Sequence, residues 1–140
     1  MKFWDTSALV PLMVQEPATT AREHLLRSDL TILVWWATAV ECASALRRLV
    51  REGALRAADA EAAEARLRQF EQFWVAVEPA DPVRRQAARL LRIHPLRAAD
   101  ALQLAAALVA CQHDPRTLPF VCADDRLATA ARLEGFDVLT

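Results

Sequence analysis

The sequence predicts an α/β fold, namely an α/β/α sandwich with a central parallel sheet of about five short strands. Segments of strand character alternate with helical segments along the whole chain, which is typical of a parallel sheet covered by helices on both faces. The run from Thr31 to Trp35 is rich in β-branched and apolar side chains, as in a strand buried on both sides. A chain of 140 residues with 54% hydrophobic content fits one domain with a substantial core. We therefore expect a single domain over residues 1–140.

The N-terminal half begins with a strand that ends at Asp5. Apolar residues at helical spacing follow it and predict a first helix, which Glu16-Pro17 ends. Gly53 ends a strongly amphipathic helix, and the alanine-rich stretch after it favours another helix. The predicted elements after the first strand are helices over 6–14 and 19–27, a strand over 31–35, and helices over 38–52 and 56–74.

The C-terminal half continues the alternation of strands and helices. Pro82 occupies a favoured first helical position, and Gly135 is suited to cap the last helix at its C-terminus. The helix beginning at Ala98 is apolar on most sides, which predicts a central, buried position. The predicted elements are a strand over 75–78, helices over 82–93 and 98–111, a strand over 118–123, a helix over 124–133 and a strand over 137–139.

The composition excludes several classes of protein. Only two glycines occur, so there is neither a P-loop nor a glycine-rich dinucleotide-binding loop. The net charge of −1 confines any nucleic-acid contact to local patches. Three widely spaced cysteines without a CxxC pair argue against a zinc site or a disulfide scaffold. With no signal-peptide pattern and no apolar stretch long enough for a bilayer, we expect a cytoplasmic protein without a membrane contact.

Four acids stand at predicted junctions between strands and helices: Asp5, Glu41, Asp100 and Asp124. Each has an ordinary structural explanation, because acids stabilise helix N-termini as caps and through the helix dipole. Thr38 and Glu41 have the spacing of a capping box, and Asp125 could cap the last helix as well as Asp124. Asp5 could cap the first helix itself or leave that role to Thr6 or Ser7.

Taken together, the four acids indicate a metal site. The carboxyl ends of parallel strands meet at one edge of a sheet, where clustered carboxylates raise one another's pKa. A cation relieves this repulsion, and oxygen ligands without histidine or thiolate favour Mg²⁺ or Mn²⁺. Such a site is typical of phosphoryl chemistry. Two other classes of protein with an aspartate after the first strand fit the sequence poorly. A receiver domain needs a lysine late in the chain, where this sequence has none, and a DxD phosphatase needs an acid at the position of Ser7.

The chain resembles the PIN-domain family, in particular the VapC toxins of bacterial and archaeal toxin–antitoxin pairs. The resemblance covers essentially the whole chain. It is carried by four segments in the expected order: Asp5-Thr6-Ser7-Ala8-Leu9-Val10, Glu41-Cys42-Ala43-Ser44-Ala45-Leu46, Leu96-Arg97-Ala98-Ala99-Asp100-Ala101-Leu102-Gln103-Leu104-Ala105 and Val121-Cys122-Ala123-Asp124-Asp125-Arg126-Leu127.

The resemblance implies a PIN-like fold and a Mg²⁺-dependent or Mn²⁺-dependent endoribonuclease. Asp5 and Asp100 match the family's principal metal ligands, and Glu41 and Asp124 match its other two acids. Thr6 or Ser7 matches the hydroxyl position beside the first acid. The fourth segment has Cys122 where the family usually has threonine, which weakens the assignment of Asp124 and leaves Asp125 as its alternative. The implied partners are an RNA substrate, a cognate antitoxin and a second copy of the chain as a homodimer.

Weaker candidates and two other functions stay open. Arg97 is the most plausible phosphate contact in an arginine-rich segment that has no acid between Asp81 and Asp100. Gln103, one turn beyond Asp100, has the expected role of a surface or packing residue. Trp35 and Trp36 could stack on a base, but core packing suits their apolar segment better. The other functions are a different PIN-like nuclease of RNA or DNA processing and a non-catalytic binding module whose acids only cap helices.

Overall fold

Five short strands form one sheet in which all neighbouring strands are parallel. The computed structural model describes residues 1–140. The sheet has the order β3-β2-β1-β4-β5, with β1 at its centre. The strands are β1 (Lys2–Trp4), β2 (Ile32–Trp35), β3 (Val75–Val77), β4 (Phe120–Val121) and β5 (Val138–Leu139).

Seven α-helices connect and cover the strands. None of them is long and apolar enough to cross a membrane. A short 3₁₀ helix at Pro115–Thr117, which the sequence pattern did not predict, precedes β4. The helices are α1 (Thr6–Met13), α2 (Thr19–Ser28), α3 (Thr38–Arg51), α4 (Ala57–Glu71), α5 (Asp81–Ile93), α6 (Ala98–Ala110) and α7 (Asp125–Leu133).

The helices form two layers because successive side chains of a strand point to opposite faces of the sheet. In β2, Leu33 and Trp35 pack in a core with side chains of α5, α6 and α7. Ile32 and Val34 pack in a second core with side chains of α1, α3 and α4, and α2 packs against that core. This arrangement confirms the predicted α/β/α sandwich.

The structure differs from the prediction mainly at the ends of elements. Helix α4 ends at Glu71, three residues before the predicted end. The amides of Gln72 and Phe73 donate to carbonyls three residues back, a tightened turn that lets the chain enter β3. Strand β4 is shorter than predicted, since only Phe120 and Val121 pair with both neighbouring strands. Trp36 lies outside the core and is 56% exposed, whereas Trp35 is buried as expected.

The strand order creates a crevice beside β1. The chain passes from β1 to β2 on one side and later returns through α5 and α6 to β4 on the other side. In open α/β sheets, ligands bind outside the carboxyl ends of strands where the order changes direction. The end of β1, followed at once by Asp5, therefore lies at the position where such a fold binds ligands.

Candidate active site

A cavity of about 570 Å³ opens at the carboxyl end of β1. All four acids singled out in the sequence line it, together with Thr6 and Ser7, so the structure brings together residues that are far apart in the chain. Its polar lining consists of five carboxylates, three hydroxyl side chains and one guanidinium: Asp5, Glu16, Glu41, Asp100, Asp124, Thr6, Ser7, Ser44 and Arg48. This is an acidic cavity with a single cation in its wall.

Asp5 occupies the buried floor of the cavity and is only 5% exposed. It caps α1 itself, because its Oδ2 accepts the backbone N–H of Ser7 at 2.9 Å. The hydroxyl of Ser7 donates to the same oxygen. The alternative in which Thr6 or Ser7 caps the helix in place of Asp5 is therefore wrong. The other oxygen of Asp5 makes no hydrogen bond within the protein.

Burial raises the pKa of Asp5 to about 6. The two hydrogen bonds from Ser7 oppose this increase, and the charges of Glu41 and Asp100 add to it. The carboxylate of Asp5 is thus destabilised by its surroundings when no cation is present. A helix N-cap needs only an oxygen that accepts a backbone N–H, so capping alone does not require a buried carboxylate.

Ser7 links Asp5 to the chain segment between β4 and α7. Its Oγ accepts the backbone N–H groups of Ala123 at 2.9 Å and Asp124 at 3.2 Å. Cys122 stands beside this junction, with its Sγ 3.7 Å from Ser7 Oγ and 3.9 Å from Asp5 Oδ2. Burial raises the pKa of the Cys122 thiol to about 12, so the thiol adds no negative charge to the site at neutral pH.

Glu41 faces the cavity from the first turn of α3. It does not form the capping box that its spacing from Thr38 suggests, and α3 begins without a side-chain cap. Instead its Oε2 accepts the Thr6 hydroxyl at 2.9 Å and the Gln103 amide at 3.0 Å. Burial raises the pKa of Glu41, and the charge of Asp100 acts in the same direction, while these two hydrogen bonds lower it.

Gln103 is a site residue that the sequence did not identify, since a surface or packing role was expected. It is 1% exposed, and its Nε2 lies 3.0–3.1 Å from Thr6 Oγ1, Thr38 Oγ1 and Glu41 Oε2. It therefore connects the start of α1 with the start of α3. Its Oε1 is buried and accepts no hydrogen bond. Its spacing of one turn from Asp100 was the signal that places it on the same face of α6 as that acid.

Asp100 and Asp124 line the cavity and also stabilise helix starts. Asp124 follows strand β4 as predicted, but the predicted strand-to-helix junction at Asp100 is wrong, because α6 follows helix α5. Asp100 accepts the backbone N–H of Arg97 at 3.2 Å, and Asp124 accepts that of Leu127 at 2.8 Å. Asp125 is exposed and does not line the cavity, which favours Asp124 as the fourth acid. The side chain of Arg97, the predicted phosphate contact, does not line the cavity either.

Two further residues of the lining were not singled out in the sequence. Glu16 lies in the segment between α1 and α2, where Glu16-Pro17 was interpreted only as the end of a helix. Nothing in its sequence context indicated a place near the other acids. Arg48 follows Glu41 by seven residues on α3, and this two-turn spacing was a usable signal for a shared helix face.

The donor set suits a hard divalent cation held by few protein ligands. The structure contains no group of three or more histidine, cysteine, aspartate or glutamate side chains that is positioned to hold a metal ion, so at most two of the carboxylates reach one ion together in this arrangement. Mg²⁺ keeps several waters and commonly binds through one or two carboxylates plus substrate phosphates. The buried carboxylate of Asp5 and the half-buried carboxylate of Glu41 repel each other and offer the negative charge that such an ion requires. The residues present therefore fit a hydrated divalent cation.

The sequence matches a known protein family. The sequence model of the PIN domain matches residues 2–133, which include every acid of the cavity. A search of curated proteins finds no relative.

Proposed function

Because the chain belongs to the PIN domain family, whose members are generally metal-dependent nucleases, we propose that it is a Mg²⁺-dependent endoribonuclease and a toxin of the VapC type. The reaction in this proposal is hydrolysis of an RNA phosphodiester bond. The observation that supports it most directly is the convergence of Asp5, Glu41, Asp100 and Asp124 on one cavity. Carboxylates alone would repel a phosphodiester, so this cavity needs a cation to accept one.

Asp5 and Asp100 are the residues to which we assign metal binding, with Glu41 and Asp124 completing the acidic wall. A bound Mg²⁺, or Mn²⁺ in its place, would polarise the scissile phosphate and favour ionisation of the attacking water. The free oxygen of Asp5 is available for this role because Ser7 occupies the other one. The hydrogen bonds of Ser7 fix the orientation of Asp5, as the partners of metal-binding carboxylates commonly do.

Glu41 is the acid best suited to receive a proton from the attacking water. Burial and the charge of Asp100 keep its pKa above the ordinary value, which improves a carboxylate as a general base near neutral pH. Thr6 and Gln103 hold its Oε2 and leave its other oxygen without a hydrogen bond from the protein. In-line attack would form the P–O bond to this water opposite the P–O bond that breaks, and the proton taken up by Glu41, or one from solvent, would pass to the leaving oxygen.

The test of the proposed function is cleavage of single-stranded RNA by the purified chain. We expect cleavage with Mg²⁺ or Mn²⁺, loss of cleavage in a chelator, and recovery when the metal is returned, since the acids cannot act on a phosphodiester without a cation. Cleavage that persists in the chelator would contradict the metal-dependent mechanism. No cleavage of any RNA under these conditions would instead support a binding module, which the capping bonds of Asp5 and Asp124 would suit.

The biological partners belong to the same proposal. A cognate antitoxin that covers the acidic cavity would keep such a nuclease inactive in the cell. We also propose a homodimer, and several exposed apolar side chains are available for either contact, including Trp36, Phe73 and Val75 on or near the edge strand β3. Large exposed apolar patches on a protein surface commonly mark sites of contact with another protein.

Replacing Gln103 with methionine is expected to lower kcat about tenfold with little change in KM, because the loss of one hydrogen bond frees the Glu41 carboxylate. The same change removes an interaction that lowers the pKa of Glu41, so the acidic limb of the pH–rate profile should move to higher pH. Steady-state kinetics over a range of pH measure both effects.

The matched control is Leu104→Met, a buried neighbour in α6 that retains the volume of the core. Its kcat and pH profile should equal those of the wild type. If Gln103→Met behaves like Leu104→Met, Gln103 only fills space and does not position Glu41.

A further inference from the structure

We propose that Arg48 forms a phosphate-binding subsite at the outer end of the acidic cavity, where it holds an RNA backbone phosphate that flanks the scissile one. This inference rests on the proposed function and adds a substrate contact to it. The position of Arg48 in α3, its lack of a partner and the charge of the cavity support the subsite.

Arg48 and Glu41 share one face of α3 but lie two helical turns apart. Glu41, Ser44 and Arg48 all line the cavity from α3, and steps of three or four residues place side chains on one helix face. Seven residues correspond to about 10 Å along a helix axis. The backbone of Arg48 therefore lies about two helical turns beyond Glu41, a separation that suits a contact with a phosphate flanking the scissile one.

Arg48 is free to bind a ligand. Its side chain is exposed and makes no hydrogen bond or ion pair within the protein, although five carboxylates line the same cavity. The preceding residue shows the contrast, because Arg47 pairs with Glu64 at 2.8 Å across to α4. An arginine whose role was to neutralise the acids would pair with one of them, and Glu16, at the same cavity, is not paired with it.

The chemistry of the subsite matches a backbone phosphate. Arg48 is the only cation in the lining, so it is the one protein group there that attracts a polyanion. Its guanidinium can donate two parallel hydrogen bonds to phosphate oxygens, and the exposed hydroxyl of Ser44 is one turn away as a further donor. The predicted phosphate contact Arg97 does not line the cavity, which leaves this role to Arg48.

The experiment compares Arg48→Ala and Arg48→Lys with the control Arg51→Ala. Arg51 lies in the last turn of the same helix, is exposed and unpaired, and does not line the cavity. Two measurements are made on each protein: steady-state cleavage of a mixed-sequence single-stranded RNA, and binding of the same sequence as cleavage-resistant 2′-O-methyl RNA by fluorescence anisotropy at several salt concentrations.

We expect Arg48→Ala to raise KM and Kd about tenfold, with kcat within about twofold of the wild type, because a charge-assisted contact away from the reacting atoms is lost. The slope of log Kd against log salt should become shallower by about 0.7, the contribution of one phosphate contact on a single strand. Arg48→Lys should fall between wild type and alanine, since a point charge replaces the guanidinium fork.

The two proposals fail in different ways. If the wild type cleaves RNA and Arg48→Ala matches Arg51→Ala in affinity and salt slope, the subsite is wrong while the nuclease assignment stands. If the wild type does not cleave but Arg48→Ala weakens binding of the 2′-O-methyl RNA, the subsite stands and the nuclease assignment falls. If the wild type neither cleaves nor binds, both are overturned.

Discussion

Asp5→Asn and Asp100→Asn are each expected to lower RNA cleavage by at least about a hundredfold while the protein stays folded. Both residues line the acidic cavity, and each replacement exchanges a carboxylate for an amide of nearly the same shape. An amide carries no charge to attract a divalent cation, so the loss should appear in kcat and should not be fully recovered by more Mg²⁺. Initial rates on a single-stranded RNA, with circular dichroism as the check on folding, measure the effect.

The choice of asparagine separates the catalytic explanation from the structural one. Asparagine caps helices as well as aspartate does, so residues that serve only as caps should tolerate the change. The matched control is Asp125→Asn, which removes the same charge from an exposed residue outside the cavity. Full activity of both Asp5→Asn and Asp100→Asn would refute the assignment of these residues as metal ligands.

The same variants test the toxin part of the proposal in a bacterial host. Production of the wild-type chain should stop growth, production of Asp5→Asn should not, and the control Asp125→Asn should behave like the wild type. Growth arrest by Asp5→Asn at an equal protein level would show that any toxicity comes from something other than the acidic cavity.

The sequence was sufficient for the fold because its strands and helices have clear patterns. The apolar run ending at Trp35 predicted a buried strand, and the apolar helix after Ala98 predicted a central, buried helix; both expectations agree with the structure. The ends of elements were less predictable, since they depend on tertiary contacts. Helix α4 stops at Glu71 because the chain must turn into β3, and no local pattern near Phe73 specifies that turn.

Residues of the cavity were predictable where they stand at the start of a helix and were missed where they lie further along a helix or in a connection. Asp5 comes directly after β1, and the carboxyl edge of a parallel sheet is a known ligand site. Gln103 and Arg48 lie inside helices, where the side that faces the cavity depends on how each helix rotates against the sheet. Glu16 lies in a connection whose path depends on how α1 and α2 pack, so its distance from the acids required the structure.

The stability of the metal-free protein is expected to depend on pH between about pH 4 and pH 7. Burial raises the pKa of Asp5 to about 6 in the folded state from an ordinary value of 3.8, so the folded protein binds more protons than the unfolded chain in this range. The free energy of unfolding therefore falls as the pH rises through this window. A difference of about two pKa units corresponds to roughly 3 kcal/mol at neutral pH. Glu41, whose pKa is also raised, acts in the same direction.

Asp5→Asn should therefore stabilise the metal-free protein at neutral pH, by about 1–3 kcal/mol, and flatten its dependence on pH. This stabilisation is smaller than the full cost of burying the ionised carboxylate, because the amide makes weaker hydrogen bonds with Ser7 than the carboxylate does. Urea denaturation in a chelator, at several pH values, measures the stability and its dependence on pH, and Asp125→Asn should keep the pH dependence of the wild type.

Added Mg²⁺ should stabilise the wild type at neutral pH and have little effect on Asp5→Asn. A less stable Asp5→Asn protein at neutral pH would mean that the charge of Asp5 stabilises the fold, because asparagine can still cap the helix and only a carboxylate that opposes folding gains stability when its charge is removed.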